Sequence, residues 1–405
     1  MKKTSDRRIL AILSTWPSQQ HPYIIFLLAE LKIRFPNMEL FLFRRGENVY
    51  ADRLLGFYKQ KMVLQNVFYK FQVTYNPIEY IIVVFNILKS LKSSIALFEH
   101  CRDEGKKVYQ AIGQLIYYHE ILGKNYDLVY INALQLGRHL CIRGLFQNTP
   151  VVASSRGQDF DLDPNGFDRV LTQIDHLHVL GNYLKNKAIG RGFSSDRITI
   201  IPPASLPCGK VDLKKKQNYS KGINIVSASR LVWTKGYIYA LRAFKGILQR
   251  LGDVDIHYHI IGDGPQKEFI LAEAHRMKIA KKITLHGWQT QDKVTELVSS
   301  GDIYLLLSIE EGFNNSVLQA QGLGLPCVVS DAGGLPENVA DGITGFVVPR
   351  YNVGAATDAL INLILNKNLR RGMGLAAKER VEDKFTLDKQ VDAYTKMFKQ
   401  QMKLR

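Results

Sequence analysis

Short apolar runs alternate along the chain with longer stretches of helical period. In the first half the runs fall at 9–14, 40–43, 128–132, 151–154, 176–179 and 198–201, and in the second at 223–228, 256–261, 283–285, 303–307, 327–330 and 346–348. A run such as Ile223-Asn224-Ile225-Val226 shows no sustained polar alternation, which reads as a strand covered on both faces. Strands alternating with helices predict an α/β chain with doubly wound parallel sheets. Residues 202–221 break the pattern: Pro202, Pro203, Pro207, Lys214-Lys215-Lys216 and Ser220 have the composition of a linker. The expected layout is a first domain over 1–202, a linker over 203–221, a second domain over 222–384, and a basic amphipathic helix over 385–405 that can pack back on the first domain.

Residues 66–95 depart from the alternation. Phe68, Tyr69, Phe71, Tyr75, Tyr80 and Phe85 interleave with Lys70, Lys89 and Lys92. Such a segment either lies on a membrane surface or packs on the first domain behind a rim of snorkelling lysines.

At 405 residues the chain exceeds what one core usually serves, which agrees with two domains. Its four cysteines, Cys101, Cys141, Cys208 and Cys327, lack paired spacing; this fits neither a zinc site nor a disulfide framework and suits a reducing cytosol. The formal net charge is +17, and residues 1–126 carry 18 Lys/Arg against 10 Asp/Glu. That surplus either attracts an anionic partner (a membrane surface or a phosphate-bearing substrate) or serves solubility. No nucleic-acid-binding motif accompanies it, so no nucleic-acid partner is expected. Met1-Lys2-Lys3 before Ile9-Leu10-Ala11-Ile12-Leu13 imitates a signal peptide, but the apolar core is too short and is read as the first strand. No stretch approaches the roughly 20 apolar residues of a transmembrane helix.

Chemistry concentrates in the second half. Arg230 and Lys235 stand where the strand at 223–228 gives way to a helix, the side of an open α/β sheet on which ligands bind. Two cations and a helix N-terminus suit a diphosphate. About 80 residues later, Ser308-Ile309-Glu310-Glu311-Gly312-Phe313-Asn314-Asn315-Ser316 follows another strand and opens a helix that runs through Val317 to Gln319. Gly312 permits close backbone approach, and the N–H groups of Asn315, Ser316 and Val317 are candidate phosphate donors. Gly262, Gly264 and Pro265 form a strand-to-helix turn that either borders a nucleotide or is a plain turn.

These segments, together with His286-Gly287-Trp288, Gly324-Leu325-Pro326 and Gly333-Gly334-Leu335-Pro336-Glu337, resemble in order and spacing the retaining, family-4 glycosyltransferases of the two-lobed GT-B fold, of the bacterial polysaccharide and lipopolysaccharide type. The likeness spans residues 220–350. In the looser first half, Ser154-Ser155-Arg156-Gly157-Gln158-Asp159 sits where the family has a His-Gly-x-Asp loop, with Arg156 in place of His. The resemblance implies two Rossmann-like domains facing a cleft. It also implies a hexosyltransferase that moves a sugar from a UDP- or GDP-linked donor to a hydroxyl of a lipid-linked or polysaccharide acceptor. The setting would be the cytoplasm, peripheral to the inner face of the membrane.

On that resemblance Arg230, Lys235 and Glu311 are catalytic. The two cations offset charge developing on the leaving diphosphate, which makes metal and cofactor unnecessary, and no Asp-x-Asp stands in a plausible site. Glu311 meets hydroxyls of the donor sugar and offsets positive charge on the ring. Ser308, Gly312, Phe313, Asn314, Gly262, Gly264, His286 and Gly287 line the donor, with Trp288 either shaping the base edge or filling a gap. Where the family has a second glutamate gripping the ribose, this chain has Gln319. Its amide can still bond a diol, without charge assistance, or Ser316-x-x-Gln319 is a capping box. Glu337 is read as a cap. Gln20 and His21, after the first strand, and Arg156 and Asp159 are placed on the acceptor side. Arg156 either binds phosphate or pairs with Asp159, and being always protonated it is no general base. Two rival readings remain: a nucleotide-sugar-binding protein without turnover, and a nucleotide-sugar epimerase.

Overall fold

The apolar runs assemble into two sheets in which every neighbouring pair is parallel. The computed structural model describes residues 6–16, 22–45, 67–69, 77–138, 140, 142–157, 167–205, 222–252 and 254–403. The first sheet holds β1 (Ile9–Trp16), β2 (Glu39–Arg45), β3 (Val67–Tyr69), β4 (Leu128–Ile131), β5 (Val151–Ser155), β6 (His176–Val179) and β7 (Ile198–Ile200), in the order β3-β2-β1-β4-β5-β6-β7. The second holds β8 (Ile223–Ala228), β9 (Ile256–Ile261), β10 (Ile283–Leu285), β11 (Ile303–Leu306), β12 (Cys327–Ser330) and β13 (Gly345–Val348), in the order β10-β9-β8-β11-β12-β13. In each sheet the order reverses beside the first strand, between β1 and β4 and between β8 and β11. Those switch points are where ligands of open α/β sheets bind.

The second sheet shows why its strands read as unbroken apolar runs. Side chains alternate between its faces, and both faces carry a core. Ile225, Tyr258, Ile260, Ile303, Leu305 and Val328 belong to one cluster with the helix Tyr237–Leu251. Val226, Ala228, Ile261, Tyr304, Leu306 and Val329 belong to the other, with Leu297, Val298 and Val317.

The chain forms two compact units: Met1–Leu180, Leu184–Ile201 and Gln390–Arg405 in one, Gly181–Tyr183 and Pro202–Lys389 in the other. The linker call falls largely on residues 206–221, outside the described residues. In the last helix (Leu387–Lys403) the buried stripe includes Val391, Tyr394 and Phe398 at helical spacing. Phe398 packs against Phe35 and Tyr130 at ring separations of 6.0 and 5.3 Å.

The segment at 66–95 is not one amphipathic helix. It contains β3, which the aromatic-basic reading missed, and then the helices Pro77–Lys89 and Leu91–Asp103. With Val108–Tyr118 these helices close a small core of Leu97, Cys101, Ala111 and Leu122. Among the described residues no single helix is long and apolar enough to cross a membrane. The pair Pro77–Lys89 and Leu91–Asp103 reaches that length only together, and bends by 91° between its halves.

Candidate functional site

Loops leaving the carboxyl ends of β8, β9, β11 and β12 are fastened to one another through main chain. Gly236, in the left-handed region at φ 63°, lies so close to β11 that a Cβ would stand 1.9 Å from the Leu307 carbonyl oxygen. The Ile309 N–H donates to the Thr234 carbonyl at 2.7 Å. Gly262 (φ 136°) brings the next loop equally near, with a Cβ 2.0 Å from Ser229 O, and Leu231 N–H donates to Asp263 O at 2.9 Å. Gly264 continues the same contact with Leu231. The Gly334 N–H donates to Glu311 O at 2.8 Å, and a Cβ on Gly334 would lie 1.8 Å from Gly312 O. These glycines therefore permit backbone-on-backbone packing, whatever else they border.

This lacing sets the β8 and β11 loops side by side at the switch point and brings Lys235 against Glu311. The Lys235 ammonium donates to Glu311 Oε1, and the pair is nearly buried, at 12% and 9% side-chain exposure. Ser308 Oγ and Asn314 Nδ2 donate to the same oxygen, each at 3.0 Å. All three donors fall on Oε1. Among the described residues Oε2 accepts none, so its lone pairs stay available to a ligand hydroxyl. Arg230 is exposed at the end of β8, and among the described residues its guanidinium makes no hydrogen bond or ion pair. The expected pair of cations is thus one exposed Arg and one Lys already neutralised by Glu311. The sequence reading had assigned the two separate roles and had not joined them.

The helix Asn315–Gly322 is capped by Asn314, whose Oδ1 accepts from the N–H groups of Ser316 and Val317 at 3.0 Å each. This corrects two expectations. Ser316 lies inside the helix, so Ser316-x-x-Gln319 is not a capping box. Of the three N–H groups expected to hold phosphate, those of Ser316 and Val317 serve the cap, and only that of Asn315 is left. Asn338, which sequence reasoning missed, braces the cap: Oδ1 accepts Asn314 N–H and Nδ2 donates to Asn314 O, both at 3.0 Å. Phe313 packs on Phe385, ring centroids 5.9 Å apart.

Gln319 is buried, and its Nε2 donates at 2.8 Å to Thr295 Oγ1, which itself donates to Gln291 O at 2.9 Å. Gln319→Glu would face an oxygen toward a hydroxyl whose proton is committed. We expect it to lower stability by about 1–3 kcal/mol, read as a fall in the urea midpoint. Tighter nucleotide-sugar binding at unchanged stability would instead return Gln319 to the ribose.

His286 directly follows the edge strand β10 and bonds His259 across rings, Nε2 to Nδ1 at 3.0 Å; Gly287 O accepts Gly262 N–H at 2.9 Å. Burial lowers the pKa of His286 and takes His259 to about 4. Trp288 is 60% exposed, so it fills no gap. The Glu337 carboxylate accepts the N–H groups of Asn182 (2.7 Å) and Tyr183 (2.8 Å), both grouped with this unit. It serves these amides and, contrary to expectation, does not cap its own helix, Leu335–Asn338.

In the first unit Arg156 follows β5. Nε donates to Asn132 O at 2.8 Å, and the terminal nitrogen donates to Asn132 Oδ1 at 2.6 Å and to the Tyr130 hydroxyl at 3.0 Å. Beneath it Tyr130 OH, Ser154 Oγ and His178 Nδ1 form a buried chain, with steps of 2.8 and 2.7 Å. His178 Nε2 meets Ile201 O at 2.9 Å, so Nε2 carries the proton and Nδ1 accepts. Gln20, His21 and Asp159 lie outside the described residues. Among the described residues no group of three or more His, Cys, Asp or Glu is placed to hold a metal ion.

Two doubly wound units in tandem, the second carrying a glycine-laced cation–carboxylate site at its switch point, define the GT-B architecture. Comparison with solved structures agrees on the fold. The Anabaena Alr3699/HepE crystal structure in complex with UDP and glucose superposes with a TM-score of 0.69 at 15% identity, over 97% of this chain and all of that one. Residues 210–380 match the family described as "Glycosyl transferases group 1". Similar curated proteins include N-acetyl-alpha-D-glucosaminyl L-malate synthase of Bacillus anthracis, 31% identical over 46% of this chain and 48% of that protein. Another is the GDP-mannose-dependent alpha-(1-6)-phosphatidylinositol monomannoside mannosyltransferase of Mycobacterium tuberculosis, 26% identical over 45% and 49%. The chain spans about half the length of the curated relatives it matches.

Proposed function

We propose that the protein is a retaining, metal-independent glycosyltransferase that moves a hexose from a UDP- or GDP-linked donor to a hydroxyl of a lipid-linked or polysaccharide acceptor. It works in the cytoplasm, peripherally at the membrane. The observation that carries the reading is Glu311, held through one carboxylate oxygen by Lys235, Ser308 and Asn314, with Arg230 exposed on the same loop as Lys235. A diphosphate entering between Arg230 and Lys235 meets an exposed guanidinium and an ammonium shared with Glu311 where the sugar–phosphate bond breaks, and these stabilise the departing β-phosphate. Glu311 Oε2 takes a sugar hydroxyl and lies against positive charge developing on the ring. The acceptor hydroxyl attacks the anomeric carbon on the face the diphosphate leaves. Attack on that same face retains the anomeric configuration, and the acceptor's proton passes to the departing phosphate oxygen. The Asn315 N–H supplies a further phosphate donor, and Arg156 is the acceptor-side cation. The printed names of the relatives support both donor classes and a phosphoinositide-linked acceptor.

The test is product analysis with a panel of nucleotide sugars, with and without polyprenyl-diphosphate acceptors. Sugar transfer with retained configuration is expected. Tight binding with neither transfer nor hydrolysis assigns a binding protein, and isomerised nucleotide sugar assigns an epimerase. Dependence of transfer on a divalent cation ends the metal-independent mechanism.

A further inference from the structure

The helix Pro77–Lys89 is out of keeping with a protein surface. Ten of its thirteen residues are apolar. Its packed side carries Val83 and Asn86, whose amide lies 2.9 Å from His119 Nδ1. Its outer side carries Ile81, Ile82, Val84, Phe85 and Leu88, each between 47% and 67% exposed. At 3.6 residues per turn these five cover an arc of about 160° whose one polar residue is Lys89, in the last turn. The next two helices add Leu91, Ile95, Val108, Tyr109 and Ile112, all 44% exposed or more. Isolated exposed apolar residues are ordinary, whereas this many on one small helical group mark a surface that something covers.

We infer that this helical group is a membrane-docking surface for anionic lipid, with Pro77–Lys89 lying in the plane of the interface. Two observations choose a bilayer over a protein partner, and a third sets how the helix lies in it. A protein interface usually mixes polar groups among its apolar ones, whereas the outer arc here is apolar up to Lys89 in its last turn. The helix is about 20 Å long, short of the roughly 30 Å hydrocarbon core, and the 91° bend into Leu91–Asp103 prevents a continuous span. It therefore lies in the interface rather than crossing it. Lys89 and Lys92 sit exposed at that bend, on a chain of net charge +17, and complement anionic headgroups. An apolar helix and a basic rim together supply the two signals that stable peripheral binding requires. The surface is read from exposure and charge, and does not depend on the sugar-transfer reading.

The test is flotation of the full chain with phosphatidylcholine vesicles, with and without phosphatidylglycerol. The protein is expected to float with the anionic vesicles and to be released by salt. Ile81→Asp/Phe85→Asp should weaken binding about tenfold or more, and Lys89→Glu/Lys92→Glu should remove the preference for phosphatidylglycerol. Both pairs are exposed, so thermal melting should be unchanged, which separates lost docking from lost folding. Failure of the unaltered chain to float, or equal flotation of Ile81→Asp/Phe85→Asp, overturns the inference. A solution dimer that the same variant splits, without vesicle binding, reassigns the surface to a second copy of the chain.

Discussion

Lys235→Ala is expected to lower turnover by about 3 kcal/mol in barrier, roughly a hundredfold, because it removes a charge fixed beside the breaking sugar–phosphate bond. The structure adds a second consequence. Lys235 is also the counter-ion of Glu311, and both side chains are nearly buried. Removing one partner of a buried pair strands the other at about 3–5 kcal/mol, while removing both charges is far milder. Lys235→Ala should therefore lose stability as well as activity, and adding Glu311→Gln should restore much of the stability and none of the turnover. Urea midpoints and single-turnover rates on the three proteins separate the effects. Full activity in Lys235→Ala would remove the donor-site assignment. Equal stability of Lys235→Ala and the unaltered chain would show that the ion pair does not persist in solution.

Acidification from pH 6.5 to 4 should strip stability from the protein steeply. Burial lowers the pKa of His176 and His259 to about 4 and that of His178 to about 3, with Arg156 adding to the effect on His178. In the unfolded chain each titrates near 6.5. Between those values the unfolded state binds protons that the folded state refuses, so stability is full above about pH 6.5 and falls as pH drops toward the folded values. Each such histidine contributes a slope of up to about 1.4 kcal/mol per pH unit, and three together about 4. His178 shows the cause most plainly: its Nδ1 accepts within a buried hydroxyl chain, and protonation would turn that acceptor into a donor. Denaturant midpoints measured from pH 7.5 to 4.5 check the slope. His178→Gln should cost stability at pH 7.5 yet flatten the profile by about one proton. A flat profile between pH 6.5 and 4.5 would contradict the buried neutral state.

Where an apolar run had to be covered on both faces, the sequence was enough. Strands such as β8 and β9 were legible to the residue because Ile223–Ala228 and Ile256–Ile261 have few alternatives under the doubly wound pattern. β3 was not, since three residues leave no measurable period and its aromatics suit a membrane segment equally well. Within the site, Arg230, Lys235 and Glu311 stood out by type and spacing. The pairing of Lys235 with Glu311 did not, because it joins loops 76 residues apart and depends on how closely Gly236 lets them approach. Capping failed for a different reason. Asn314-Asn315-Ser316 offers three adjacent residues of nearly equal capping preference, and the bracing amide of Asn338 decides among them. Arg156 drew its partners from β4 and its end, beyond any local signal.

The glycine-laced loops have a consequence for how such a protein diversifies. Their mutual contacts run through carbonyls and amides, which every residue type carries, so the frame is indifferent to most substitutions on its rim. Exposed positions such as Trp233 and Trp288 can change without refitting the frame. The few residues lacking a Cβ at the crossings cannot, and innovation is thereby channelled outward, to the edges of the site.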